Sequence, residues 1–155
     1  GDWQKAEHMQ DKILQTYKNT LEKNHPKILQ TIANLACTYQ NQGRWNEAED
    51  LELQVMALQK KVLGEEHPDT LTAMKNLAST YRNQCRWKEA EDLELQVMGW
   101  LKKVLGEEHP DTLGAMENLA CTYWNQGRWK EAEDLELQVM ALQKKLLGEE
   151  YPDTL

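Results

Sequence analysis

The chain has 155 residues, with 26 acidic against 18 basic side chains and a net charge of −8 at neutral pH. That balance argues against a sequence-independent grip on nucleic acid or anionic lipid, and repeat readers of RNA would need a basic face that is missing here. No apolar run approaches the roughly 18 residues of a membrane span and the N-terminus lacks a signal-peptide pattern, so the chain reads as soluble and cytoplasmic.

The stretch Gly43–Gln84 returns at Cys85–Gln126 with nine of its 42 positions changed, begins again at Gly127 and stops at Leu155. A more diverged copy fills 1–42, keeping Trp3, Ala6, His25-Pro26, Leu29, Asn34-Leu35-Ala36 and Tyr39 in phase. A fixed period of this size means a stacked array whose core is a continuous seam. The expected organisation is one repeat domain over 1–155, in units 1–42, 43–84, 85–126 and a partial 127–155. Beginning and ending inside the repeat cycle without an initiating Met, the chain reads as a piece of a longer protein.

Taken in order, apolar residues at spacings of three and four predict helices at about 2–20, 27–41, 45–62, 69–83, 87–104, 111–125 and 129–146, alternately long and short. In the long helix, Trp87, Ala90, Leu93, Val97, Leu101 and Val104 make the apolar face; in the short one, Leu71, Met74, Leu77, Ala78 and Tyr81 do. Long helices end at glycines such as Gly106, expected to be left-handed, and His-Pro-Asp opens each short helix. Gly43 and Gly127 close the short-helix turns. Cys85 stands in that place, where positive φ would cost it roughly 1 kcal/mol. The chain ends in Pro152-Asp153-Thr154-Leu155, the opening of a further short helix. The last long helix keeps its internal apolar pattern, so end-to-end stacking or dimerisation is expected.

Helix pairs with Asn-Leu-Ala-x-x-Tyr in one member and Trp-x-Glu-Ala-Glu in the next resemble tetratricopeptide repeats. With a 42-residue period and Val-Leu-Gly-x-x-His-Pro-Asp-Thr between helices, the unit is similar to that of kinesin light chain. The fuller string from Gly-Arg-Trp to His-Pro-Asp-Thr-Leu is most similar to the repeat regions of fungal NOD-like receptors, where the array is the sensing part. The resemblance implies an all-α fold, a right-handed α-solenoid of antiparallel helix pairs with about seven helices. It also places the short helices on a concave groove.

Differences between repeats point to what that groove reads. Thr72, Lys75, Ser79 and Arg82 become Gly114, Glu117, Cys121 and Trp124, while the rest of Pro68–Gln84 is unchanged. At ~100° per residue these four occupy one arc of about 80°, opposite the apolar face. The first short helix carries Gln30, Ala33, Cys37 and Gln40 there. Thr70, Ala73 and Thr80 are taken as exposed positions that stay constant, which argues against simple drift.

Beside the stripe, Asn34, Asn41, Asn76, Asn83, Asn118 and Asn125 recur, and their amides offer donor and acceptor to a ligand backbone. Bonding to their own helix ends is the competing role. Trp124 is the best hot-spot candidate, whereas Trp3, Trp45, Trp87 and Trp129 are expected in the core. Lys75 and Arg82 make one stretch of the groove positive, and Glu117 reverses the sign. Gly99 is read as making room for Trp100. Leu53, Leu95 and Leu137 lie off the main apolar face, without an assigned role.

No nucleophile is paired with a base, the histidines are too far apart for a metal site, and no loop cradles phosphate. Neither catalysis nor a cofactor is expected. Cys37, Cys85 and Cys121 form no CxxC pair and are expected to be reduced thiols. Two functions stay open: recognition of a protein or peptide segment in the groove, or a structural, self-assembling array without a groove ligand.

Overall fold

The computed structural model describes residues 2–20 and 25–150, in two compact units that divide after Gln84. Among the described residues there are seven α-helices. Unit 1 holds α1 (Asp2–Thr20), α2 (Pro26–Asn41), α3 (Trp45–Leu63) and α4 (Pro68–Asn83). Unit 2 holds α5 (Trp87–Leu105), α6 (Pro110–Asn125) and α7 (Trp129–Glu150). Each agrees with its predicted span to within two residues, except α7. That helix runs on past Gly148, whose counterparts Gly64 and Gly106 end α3 and α5. The two earlier ends are held by threonine hydroxyls, Thr70 Oγ1 donating to the Gly64 carbonyl at 2.8 Å and Thr112 Oγ1 to that of Gly106 at 2.7 Å. Their counterpart, Thr154, lies with the rest of 151–155 outside the described residues.

The punctuation works through specific atoms. His25, His67 and His109 are N-caps, each accepting through Nδ1 from the backbone N–H two residues on, at 3.1–3.2 Å. The proline after each supplies the fixed φ of the first helical turn and has no N–H to satisfy. Gly64 and Gly106 have φ of 93° and 90°, as expected, but ψ is 167° in both. This extended, glycine-only region differs from the left-handed helical cap expected of them.

Packing within each unit follows the periodicity. In unit 1, Leu14, Ile28, Ile32, Leu35, Val55 and Ala73 form a buried cluster joined by Tyr17, Tyr39, Leu51 and Met56. In unit 2, Leu113, Met116 and Val139 are joined by Met98, Leu135, Leu142 and Leu146. The short-helix face from Leu71 to Tyr81 is buried as predicted, and so are Ala90, Leu93, Val97 and Leu101 of the long face. Ala48, Ala90 and Ala132, at one register of the long helices, are fully buried.

Some expectations need correction. Val104, at the end of the long-helix face, is exposed. The recurring tryptophans are not core: Trp3 and Trp129 are half exposed, and Trp45 and Trp87 are only partly buried. They sit at or near the first residue of their helices, where one side of the ring meets water. A Cβ built on Gly99 meets nothing within 4 Å beyond its own chain neighbours, so no other residue requires a glycine there. Trp100 lies partly exposed under the Lys103 ammonium, 4.6 Å from the ring centre.

The tight turns are held by arginine. Arg44 lies 4.0 Å over the Tyr39 ring and pairs with Glu7 of α1 at 2.8 Å and with Glu47 of α3. Arg128 repeats this over Tyr123, with Glu91 of α5 and Glu131 of α7, both within 2.7 Å. Hydrogen bonds from Arg44 hold the carboxyls of Glu7 and Glu47 below the usual range. Burial raises Glu91, but hydrogen bonds from Arg128 and Gln126 outweigh it and leave that carboxyl low too.

Gly43 and Gly127, which precede these arginines, have φ of 74° and 76°, and Cys85 in the same place has φ of 60°. Cys85→Gly is therefore expected to stabilise the chain by up to about 1 kcal/mol. Denaturant unfolding of the two proteins side by side measures it; an unchanged or lowered midpoint would show that the turn carries no strain.

A cleft between short helices

The predicted stripe separates into three groups once side chains are placed. Gln30, Asn34 and Cys37 of α2 face Thr72 and Asn76 of α4 across a cleft of about 640 Å³ in unit 1. Its floor is α3, through Glu52, Val55, Gln59, Val62 and Leu63. Ala33, a fourth stripe position, lines it as well. Lys27, His67 and Asp69 stand at its edge. Gln30, Ala33 and Cys37 of one short helix and Thr72 of the next thus share one concavity.

A second group is turned to the chain itself. Gln40 donates through Nε2 to Glu52 Oε1 at 2.8 Å and to Thr80 Oγ1 at 2.6 Å, so it joins α2 to α3 and α4 instead of facing solvent. Asn41, Asn83 and Asn125 each donate to the carbonyl four residues back, those of Cys37, Ser79 and Cys121, at 2.7–2.9 Å. Their amide N–H groups serve their own helix ends. Asn34 Oδ1 accepts from Gln30 at 3.1 Å. The amide of Asn76 makes no hydrogen bond with the described residues.

The third group is outward. Lys75 is exposed, while Ser79 and Arg82 are partly buried on the same helix. On α6, Glu117 and Cys121 are exposed, Asn118 is partly buried, and Glu117 accepts from Gln143 at 3.4 Å. Trp124 is 56% exposed and meets Trp129 edge to face, ring centres 4.6 Å apart. Free thiols remain at Cys37, Cys85 and Cys121. Burial, then the nearby Glu52, pushes the Cys37 thiol up.

Thr70, Ala73 and Thr80 are buried, the two threonines completely. This overturns their reading as constant exposed positions. Thr70 ties the helix start to Gly64, and Thr80 donates to Glu52 Oε2 at 2.7 Å. Their constancy is a packing requirement, and it no longer separates recognition from drift.

Glu52 was not singled out in the sequence, where it is one of many glutamates in a charged helix. It is 3% exposed and, among the described residues, accepts only from the neutral donors Gln40 and Thr80. Burial drives its pKa up to about 7, against the lowering effect of the Thr80 hydrogen bond. The only available signal was register: Gln10 precedes it by one repeat, and there Thr38 Oγ1 donates to Gln10 Oε1 at 2.9 Å. An amide already fills this place in the first repeat.

Among the described residues, no three histidine, cysteine or acidic side chains group in a way that could hold a metal ion, and no helix is long and apolar enough to cross a membrane. Tetratricopeptide repeats match residues 1–27, 28–69, 70–111 and 112–153, the last three with the 42-residue period. The chain belongs to the tetratricopeptide repeat family. Two crystal structures of a Podosopora anserina kinesin light chain candidate with nearly identical TPR-like repeats are similar to it. One, of a point variant of that protein, is 35% identical, covering 95% of this chain and 69% of that one at a TM-score of 0.84. The other is 36% identical, covering 94% and 69% at 0.82. BtubC (BKLC) from P. vanneervenii, 20% identical over 94% of this chain and 57% of its own, shares the fold at 0.82. No curated protein gives a significant match. The kinesin-light-chain type of repeat and the all-α, helix-pair fold of solenoid proteins are thereby established. Such repeats are non-catalytic scaffolds that typically bind proteins or peptides.

Because the folded-state pKa of Glu52 is raised, the folded chain binds more protons than the unfolded one between about pH 4.5 and 7. The stability this group contributes is complete at the acidic end and is lost as pH rises through 7, on the order of 2–3 kcal/mol. The arginine-paired carboxylates act oppositely and at lower pH, so they leave this window clear. Glu52→Gln is expected to remove the loss. Unfolding free energies of parent and variant at pH 5 and pH 8 test it, and parallel pH profiles would refute the assignment.

Proposed function

We propose that the chain is a recognition module that binds a peptide or protein segment through the variable faces of its short helices, with no catalytic role. The observation that carries this reading is the cleft between α2 and α4, lined by stripe positions of both helices and large enough for several side chains. The partner is a protein or peptide, not nucleic acid or membrane, in keeping with the net charge of −8. Lys75 and Arg82 suit a carboxylate on the partner, and Glu117 with Trp124 an apolar or basic group. Asn34 and Asn76 line the cleft and suit a ligand main chain. The repeat string is in keeping with a sensing region of a fungal NOD-like receptor, working in the cytoplasm.

One observation favours a second reading, a self-assembling array. Leu137 and Met140 on α7 are each more than half exposed, an apolar surface that end-to-end association would cover. Sedimentation that stays monomeric at high concentration would rule this out.

Selection from a random peptide library tests the first reading on the parent and two variants. One carries alanine at Lys75, Arg82, Glu117 and Trp124; the other is Ala33→Trp, which fills the cleft. A motif enriched on the parent is expected to vanish on Ala33→Trp and to weaken on the fourfold variant. Selection of nothing, or of the same sequences on all three, would refute groove recognition. For a selected peptide, Asn76→Ala with Asn118→Ala should cost more than about 1 kcal/mol if asparagine holds its backbone; unchanged affinity refutes that role.

A further inference from the structure

The cleft in unit 1 contains acceptors that the chain does not match with a cation. Glu52 forms no ion pair among the described residues, and its oxygens accept only from Gln40 and Thr80. A carboxylate has about four lone-pair sites, so capacity remains. Seven residues on, Gln59 Oε1 is buried and accepts no hydrogen bond from the described residues. One repeat later that register holds Leu101, which is buried. Packing there does not demand an amide, and an unpaired buried carbonyl is a cost without a return inside the chain.

We propose that this cleft reads a lysine or arginine side chain of a peptide segment, its apolar stem against Leu29, Ala33 and Val55 and its cationic head on the Glu52 carboxylate. This deepens the groove reading above and rests on it. The walls suit such a side chain, which pairs a hydrocarbon stem with a charged tip. A carboxylate seated in the cleft itself, away from Lys75 and Arg82, would meet Glu52 with like charge, and a purely apolar group there would leave both acceptors unmatched. Gln59, about 10 Å along the axis of α3, accepts an N–H from the same segment, on the order of three extended residues away.

Other titratable or charged groups act on Glu52 as well. Glu49 on α3 and Cys37 on α2 bear on it electrostatically, while Lys27, His67 and Asp69 line the mouth of the cleft. No cation among them forms an ion pair with it. The ligand cation favours the ionised carboxyl, whose pKa in the free chain is about 7. Binding therefore releases a proton near neutrality, and affinity rises from pH 6 to pH 8 before levelling.

The test is a random peptide library selected on the parent, Glu52→Gln and Ala33→Trp, followed by titration of the most enriched synthetic peptide. A fixed basic position is expected on the parent and not on Glu52→Gln. The peptide should bind Glu52→Gln about tenfold or more weakly, with no rise between pH 6 and pH 8. Replacing its basic residue by norleucine should lose a similar factor on the parent and little on the variant. Gln59→Leu should weaken binding while keeping the basic preference. Gln10 in the first repeat indicates that Glu52→Gln folds, and circular dichroism checks it. A motif abolished by Ala33→Trp but lacking a basic position, or indifferent to Glu52→Gln, overturns this inference and leaves groove recognition standing. Failure to select any motif that Ala33→Trp abolishes overturns both.

Discussion

A short helix packed between two long ones has little surface left to show, and that constraint governs the rest of the structure. The long helices α1 and α3 both pack on α2, as α5 and α7 both pack on α6. Leucine, methionine and alanine on one side of the short helix, and threonine and alanine on the other, are consumed by these contacts. What remains is a narrow strip. Substitution can accumulate there without disturbing the fold, and the strip is also the part of the helix that a partner can reach. The same geometry that permits drift therefore permits recognition, and only the concavity between neighbouring strips tells them apart.

Polar side chains secure this arrangement as much as the apolar seam does. Threonine hydroxyls reach back to the glycines that end α3 and α5, and histidine caps start the short helices. Arginine then clasps the tight turn to the helices on either side. Each device occurs at a fixed register, which is why the period is so regular. A repeat that altered one of them would leave a buried donor or acceptor without its partner.

Most of the fold was legible in the sequence because helix periodicity, glycine and proline are local signals. Boundaries came within two residues wherever a cap or a buried hydroxyl fixed the end, and α7 ran long where Gly148 alone was relied on. The candidate site was legible only in part. Internal comparison found the strip, yet a wheel drawn from one helix could not show that Thr70 and Thr80 reach Gly64 and Glu52, or that Ala73 joins the buried cluster around Val55. Nor could it show that Gln40 points inward. Glu52 was missed because a buried glutamate and an exposed one look the same in a charged helix, and only the surrounding helices distinguish them.

The exchange of Gln10 for Glu52 at one register has a consequence for the array as a whole. Both side chains have nearly the same shape and accept from the threonine of the short helix, so exchanging them preserves the architecture. They differ in whether that layer can take up and release a proton near neutrality. A family that duplicates its repeats with a single amide-to-acid change can thereby compose, layer by layer, how many proton-responsive joints one molecule contains.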